Sequence, residues 1–214
     1  MRDTDELIET LAQDAKPVTP LAPPLMRAGL LLAGLLAAMG ALVAFGGHVE
    51  ETIAHLSRAP FALELIGALA AGVGAVVAAV MLSIPGRARA WLNLPVPGLV
   101  LWLAGGGLEC YRQVEELGYV PTSMFASQDC FVFIMAAGLP SAAAAYVFLR
   151  RHLSIDAVRV MALAGLGAAL LAAVLLQLVH AHGTNPVDFG THVVAVTLLM
   201  LFAMAVGRFD FRRP

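Results

Sequence analysis

Two hydrophobic patterns divide the chain. In MRDTDELIETLAQDA, apolar residues recur at helical spacing, with Leu7, Ile8, Leu11, Ala12 and Ala15 on one face. Asp5, Glu9 and Asp14 occupy the other sides. Asp3 and Glu6 form a capping-box-like pair, each placed to satisfy a free backbone N–H of the first turn. Pro17 disfavours helical geometry at Lys16, so this helix is expected to stop there. PVTPLAPPL then reads as an extended, proline-rich tether.

After the tether the pattern changes to long, nearly continuous apolar runs. Six of them, near 27–47, 60–84, 95–111, 130–149, 157–180 and 190–207, are long enough for membrane helices, which need about 17–25 residues. Connectors such as SIPGRARAWLNLP and AHGTNPVD break the runs with Pro and Gly. The expected fold is all-α, a polytopic membrane bundle of six transmembrane helices preceded by a short cytoplasmic amphipathic helix. Its parts are the helix and tether at 1–25, the transmembrane domain at 26–209 and a short tail at 210–214. The first run is too long for a cleaved signal peptide, and the tail before it is acidic, so the tail is expected to persist.

Composition supports the membrane reading. The 214 residues are 60% hydrophobic and 13% charged, against roughly 25% charged in a soluble domain. A net charge of −2 gives no support to direct nucleic-acid binding. The placement of charge is more informative. Six spans put both termini on one side, and that side would hold all but two of the 13 Lys and Arg residues, the exceptions being Arg58 and Arg112. By the positive-inside rule both termini are cytoplasmic. Cys110, Cys130 and the histidines other than His152 then fall on the external side, together with Glu64, Glu109 and Gln177.

Thiols on an oxidising face can pair as a disulfide, and thiolate with imidazole suits Zn²⁺ or Cu(I). Cys110, Cys130, His180 and His182 are therefore candidate sensing residues, while Cys as a buried hydrophobe and His as a solvated helix end are the plainer readings. The metal, if any, is unknown. No resident cofactor is expected, only transient binding of Zn or another heavy metal at the external face. Small residues in AGLLLAGLLAAMGAL and GALAAGVGAVVAAV suit close helix packing in lipid. No charged side chain lies near mid-membrane, as a transporter usually requires. No GxSxG, HExxH or P-loop pattern appears, and enzyme activity is not expected. The acidic N-terminal helix needs a surface for its apolar stripe. A groove on a basic cytoplasmic partner suits it better than anionic lipid does, and an acidic tail lying loosely near its own cytoplasmic loops is the plainer reading.

Several stretches resemble the NrsF-type membrane anti-sigma factors. They are MRDTDELIETLA with PVTPLAPPLMR, SIPGRARAWLNLPVPGLVLWLAGG, DCFVFIMAAGLPSAAAAYVFLRR and LVHAHGTNPVDFGTHVVAVTLL, in that order along nearly the whole chain. The resemblance implies a six-span bacterial inner-membrane protein that holds an extracytoplasmic-function sigma factor inactive. It also implies that the N-terminal segment, here Asp3, Asp5, Glu6, Leu7, Ile8 and Leu11, contacts that partner. Outer-face cysteines of the family are implicated in sensing heavy metal or oxidant, and Cys130 matches one of them by position. A second follows a histidine at the end of the fifth span, where this chain has Ala181 after His180. Cys110, outside the family pattern, is one candidate substitute, and a different signal is the other reading. The rival reading is a small transporter or redox-active membrane protein whose external Cys/His cluster handles its substrate.

Overall fold

The computed structural model describes residues 4–13, 15, 22–46, 49–118, 124–150, 156–179 and 185–210. Helix α1 (Thr4–Gln13) carries the amphipathic pattern, and α2 (Pro24–Gly46) is the first long apolar helix. A short α3 (Val49–His55) leads into α4 (Ala59–Leu82), and a 3₁₀ turn (Arg89–Asn93) into α5 (Val96–Leu117). The chain continues as α6 (Met124–Leu149), α7 (Ala157–Val179) and α8 (Pro186–Asp210). No strand occurs among the described residues. The six helices α2 and α4–α8 are each long and apolar enough to cross a membrane.

Local chemistry sets the ends of these helices. Ser83 closes α4, its hydroxyl donating to the Val80 carbonyl at 2.7 Å and its N–H to Ala79. Pro85 and Gly86, the latter at φ 80°, then turn the chain. Proline stands in the first turn of α4 and α5, where its missing N–H costs no helical hydrogen bond.

The expected spans hold, with shifted boundaries. Helix α5 runs beyond 111 to Leu117, because ECYRQVEEL continues the helix with polar side chains. Helix α6 begins six residues before Cys130, at Met124. Helices α2 and α8 each reach slightly past the expected limits of the transmembrane domain, to Pro24 and Asp210. Helix α3 is an addition that the apolar runs did not indicate.

Helix α7 is buried nearly all round, as its uniformly apolar sequence requires. It packs against α4, α6 and α8, and α5 lies on the far side of α4. Helix α2 is peripheral and leans mainly on α4. Glycine permits the tightest contact. A Cβ on Gly67 would overlap the backbone of Trp102, and one on Gly105 would overlap that of Glu64. The α4 and α5 backbones therefore nearly touch, a packing mode that replaces the hydrophobic effect in lipid. Gly105→Ala is expected to cost about 1–3 kcal/mol through overpacking. The check is a lower melting temperature of the detergent-solubilised chain. Gly29→Ala, whose Cβ meets nothing within 4 Å, is the control and should change little.

The two ends of the bundle differ chemically. Arg27, Arg87, Arg89, Arg150, Arg159 and Arg208 mark the end where α2 begins and α8 finishes. Glu64, Glu109, Gln177, Asp188, His192 and both cysteines lie toward the opposite end.

Candidate functional site: a buried polar end and an exposed acidic helix

At the end opposite the arginines, α8 starts on a local cap. The Asn185 side-chain oxygen accepts from the N–H groups of Val187 and Asp188, both at 2.9 Å. Pro186 occupies the first helical position, so NPVD is a complete helix start. The Asn185 amide also donates to the Asp188 carboxylate. Asp188 and, one turn on, His192 are thereby fixed inside the bundle, both buried.

Glu64 is fully buried in α4. Its carboxylate accepts a hydrogen bond of 2.8 Å from the Gln177 amide of α7. Thr52 of α3 donates to the Gln177 backbone carbonyl at 3.3 Å. These contacts tie the short connecting helix to the two central spans. A buried polar group without its hydrogen bond costs about 1–3 kcal/mol. Gln177→Leu, which removes this donor to Glu64, should therefore destabilise the chain by about that amount, measured as a fall in melting temperature. On α5, Glu109 pairs with Arg112 at 3.2 Å, and Arg112 also reaches Glu116 at 3.6 Å.

The cysteines occupy different surroundings at this end. Cys110 of α5 is half-buried, within electrostatic range of Glu64, Glu109 and Asp188. Cys130 of α6 is buried among Ile134, Ala172, Ala173, Leu176 and Ala195. The Asp188 charge acts on Cys130 as well as on Cys110. The two thiols are not bridged. Among the described residues, no three His, Cys, Asp or Glu side chains converge in a way that could hold a metal ion. The described residues thus do not by themselves make a zinc site. His180 and His182, the other candidate sensing residues, lie outside the described residues.

Helix α1, which precedes α2 in the chain, leaves its apolar stripe exposed. Leu7, Ile8 and Leu11 are 45%, 59% and 61% exposed, and no residue of α1 is buried. Asp5 and Glu6 are exposed in its first turn, where negative charge favours the helix dipole. Thr10 and Gln13 bond within the helix, to the Glu6 carbonyl and the Glu9 carboxylate. Asp3 lies outside the described residues.

Residues 11–212 match the family model described as NrsF, negative regulator of sigma F. The chain belongs to the NrsF family. No curated protein and no solved structure matches it. The NrsF match takes in the proline-rich stretch before α2, all six spans and the polar end, and begins near the close of α1. Most of the exposed stripe precedes it.

Sequence reasoning placed Glu64, Glu109, Gln177 and His192 toward this end of the bundle without pairing any of them. It passed over Asp188 and Asn185, although Asn-Pro-x-Asp ahead of an apolar run is a readable helix start. Arg27 was counted only as one of the basic residues, yet in the structure it is buried.

Proposed function

We propose that this chain is a membrane anti-sigma factor that sequesters an extracytoplasmic-function sigma factor through α1 and releases it on an external metal or oxidative signal. The observation that carries this reading is the unburied apolar stripe of α1, tethered to a membrane bundle of a family described as negative regulators of a sigma factor. A sigma factor must bind promoter DNA, so its surface carries basic patches that an acidic helix can meet. A helix this short is marginal alone in water and gains its order on docking. The role is binding and release, with no catalysis.

The protein sits in the bacterial inner membrane with both termini cytoplasmic, which sets α1 beside its partner and the cysteines outside. Cys130 couples the signal to packing. Any group added to its sulfur must be accommodated between α6 and α7, where Ala172, Ala173 and Leu176 already fill the space. Overpacking of that kind costs about 1–3 kcal/mol. Cys110, His180 and His182 are the companion groups. Deleting the chain should raise transcription from promoters of its sigma factor, and overproducing it should lower that transcription. Promoter activity that does not respond to either change overturns the reading.

A further inference from the structure

We propose that the chain holds one anionic phospholipid between α2 and α6, its phosphate on Arg27 and an acyl chain in the groove beneath. Arg27 stands in the first turn of α2 and is only 5% exposed. Neither of its terminal nitrogens has a hydrogen-bond partner among the described residues, and its guanidinium lies 5.8 Å over the Phe148 ring. A cation–π contact supplies a small part of what a buried guanidinium needs. Charges inside membrane proteins normally pair, and among the described residues no anion pairs with this one.

The same two helices enclose an open groove of about 450 Å³. Phe148 lines its arginine end, directly under Arg27. Leu30, Leu31, Gly34 and Ala38 form one wall, and Pro140 and Ala144 belong to the other. Arg27 does not itself line the groove but stacks on Phe148 at its end, and an apolar cleft along a span with a cation behind one end matches a phospholipid, chain and headgroup together. Two features keep the groove open. Gly34 has no side chain, and a Cβ there would meet nothing within 4 Å. Helix α2 is also the least buried of the spans, although Arg27 and Ala28 of its first turns are buried, so binding requires that turn to move and admit a phosphate to the guanidinium. The acidic helix α1 is a poorer occupant, since its carboxylates would have to enter an apolar, lipid-facing cleft. Bidentate phosphate binding is what a guanidinium does well. Arginine near the cytoplasmic leaflet also meets anionic headgroups there.

The test uses the full chain, delipidated in detergent and titrated with phosphatidylglycerol, with bound lipid counted by native mass spectrometry. One lipid should bind per chain. Arg27→Gln should weaken it about tenfold, the loss of one charge-assisted hydrogen-bonded contact. Gly34→Leu, which fills the groove and leaves the charge in place, should weaken it by a similar factor. Either variant binding phosphatidylglycerol as tightly as the native chain overturns the proposal. So does inorganic phosphate displacing the lipid at equal concentration, which would make this a simple anion site. A tenfold gain in lipid affinity on deleting residues 1–15 would also overturn it, by showing that the N-terminal helix is the resident.

Discussion

Changing Leu7, Ile8 and Leu11 together to alanine is expected to weaken sigma-factor binding by at least about 100-fold, since anchors buried at an interface are each worth about 2 kcal/mol or more. The three side chains lie on one face of α1 and remain exposed, so their truncation removes no buried packing among the described residues. Alanine also has the highest helix propensity, so the helix itself is not weakened. The loss therefore reports on the docked state alone. Titration of the purified full chain with its sigma factor gives the affinity, and the melting temperature should stay unchanged. Charge reversal at Asp5, Glu6 and Glu9 should act differently, slowing association and reducing its salt dependence.

The second large effect is expected at Cys130. Cys130→Phe places a ring where a thiol is enclosed by Ala172, Ala173, Leu176 and Ala195. It should mimic part of the signal and raise sigma-dependent transcription partially without any stimulus. Cys130→Ser keeps the volume and should leave repression intact while removing the response to cadmium or peroxide. The two variants thus separate packing from reactivity. Moving the sigma factor from 99% bound to 1% bound requires about 5.5 kcal/mol of differential binding. Overpacking at one cysteine contributes about 1–3 kcal/mol of that, and a new covalent or metal link involving Cys110 would have to supply the remainder. Cys110→Ser should accordingly blunt the response without abolishing it.

The spans were legible because lipid imposes a simple requirement: about 20 apolar residues in a row, each run closed by Pro, Gly or charge. Where the requirement relaxes, legibility falls. Helix α5 outran its apolar segment because Arg112 bonds back to Glu109 and forward to Glu116 at three- and four-residue spacing. That spacing is itself a readable helix signal. Helix α3 is too short and too mixed in polarity to register in hydrophobic periodicity. The polar end was legible only in part. Distribution of charge gathered Glu64, Glu109, Gln177 and the cysteines at one end. The hydrogen bond from Gln177 to Glu64, however, joins residues 113 positions apart, and nothing local encodes it. The burial of Arg27 is equally a product of tertiary packing, since its position at the start of a span reads as an interfacial arginine.

The most direct test of a sigma factor held at the membrane and released from outside is its sedimentation with membranes that carry the native chain. The sigma factor should pellet with those membranes before treatment and move to the supernatant after cadmium or peroxide, while Cys110→Ser/Cys130→Ser membranes retain it throughout. A sigma factor that stays soluble before treatment, or that leaves native and Cys→Ser membranes alike, would contradict it.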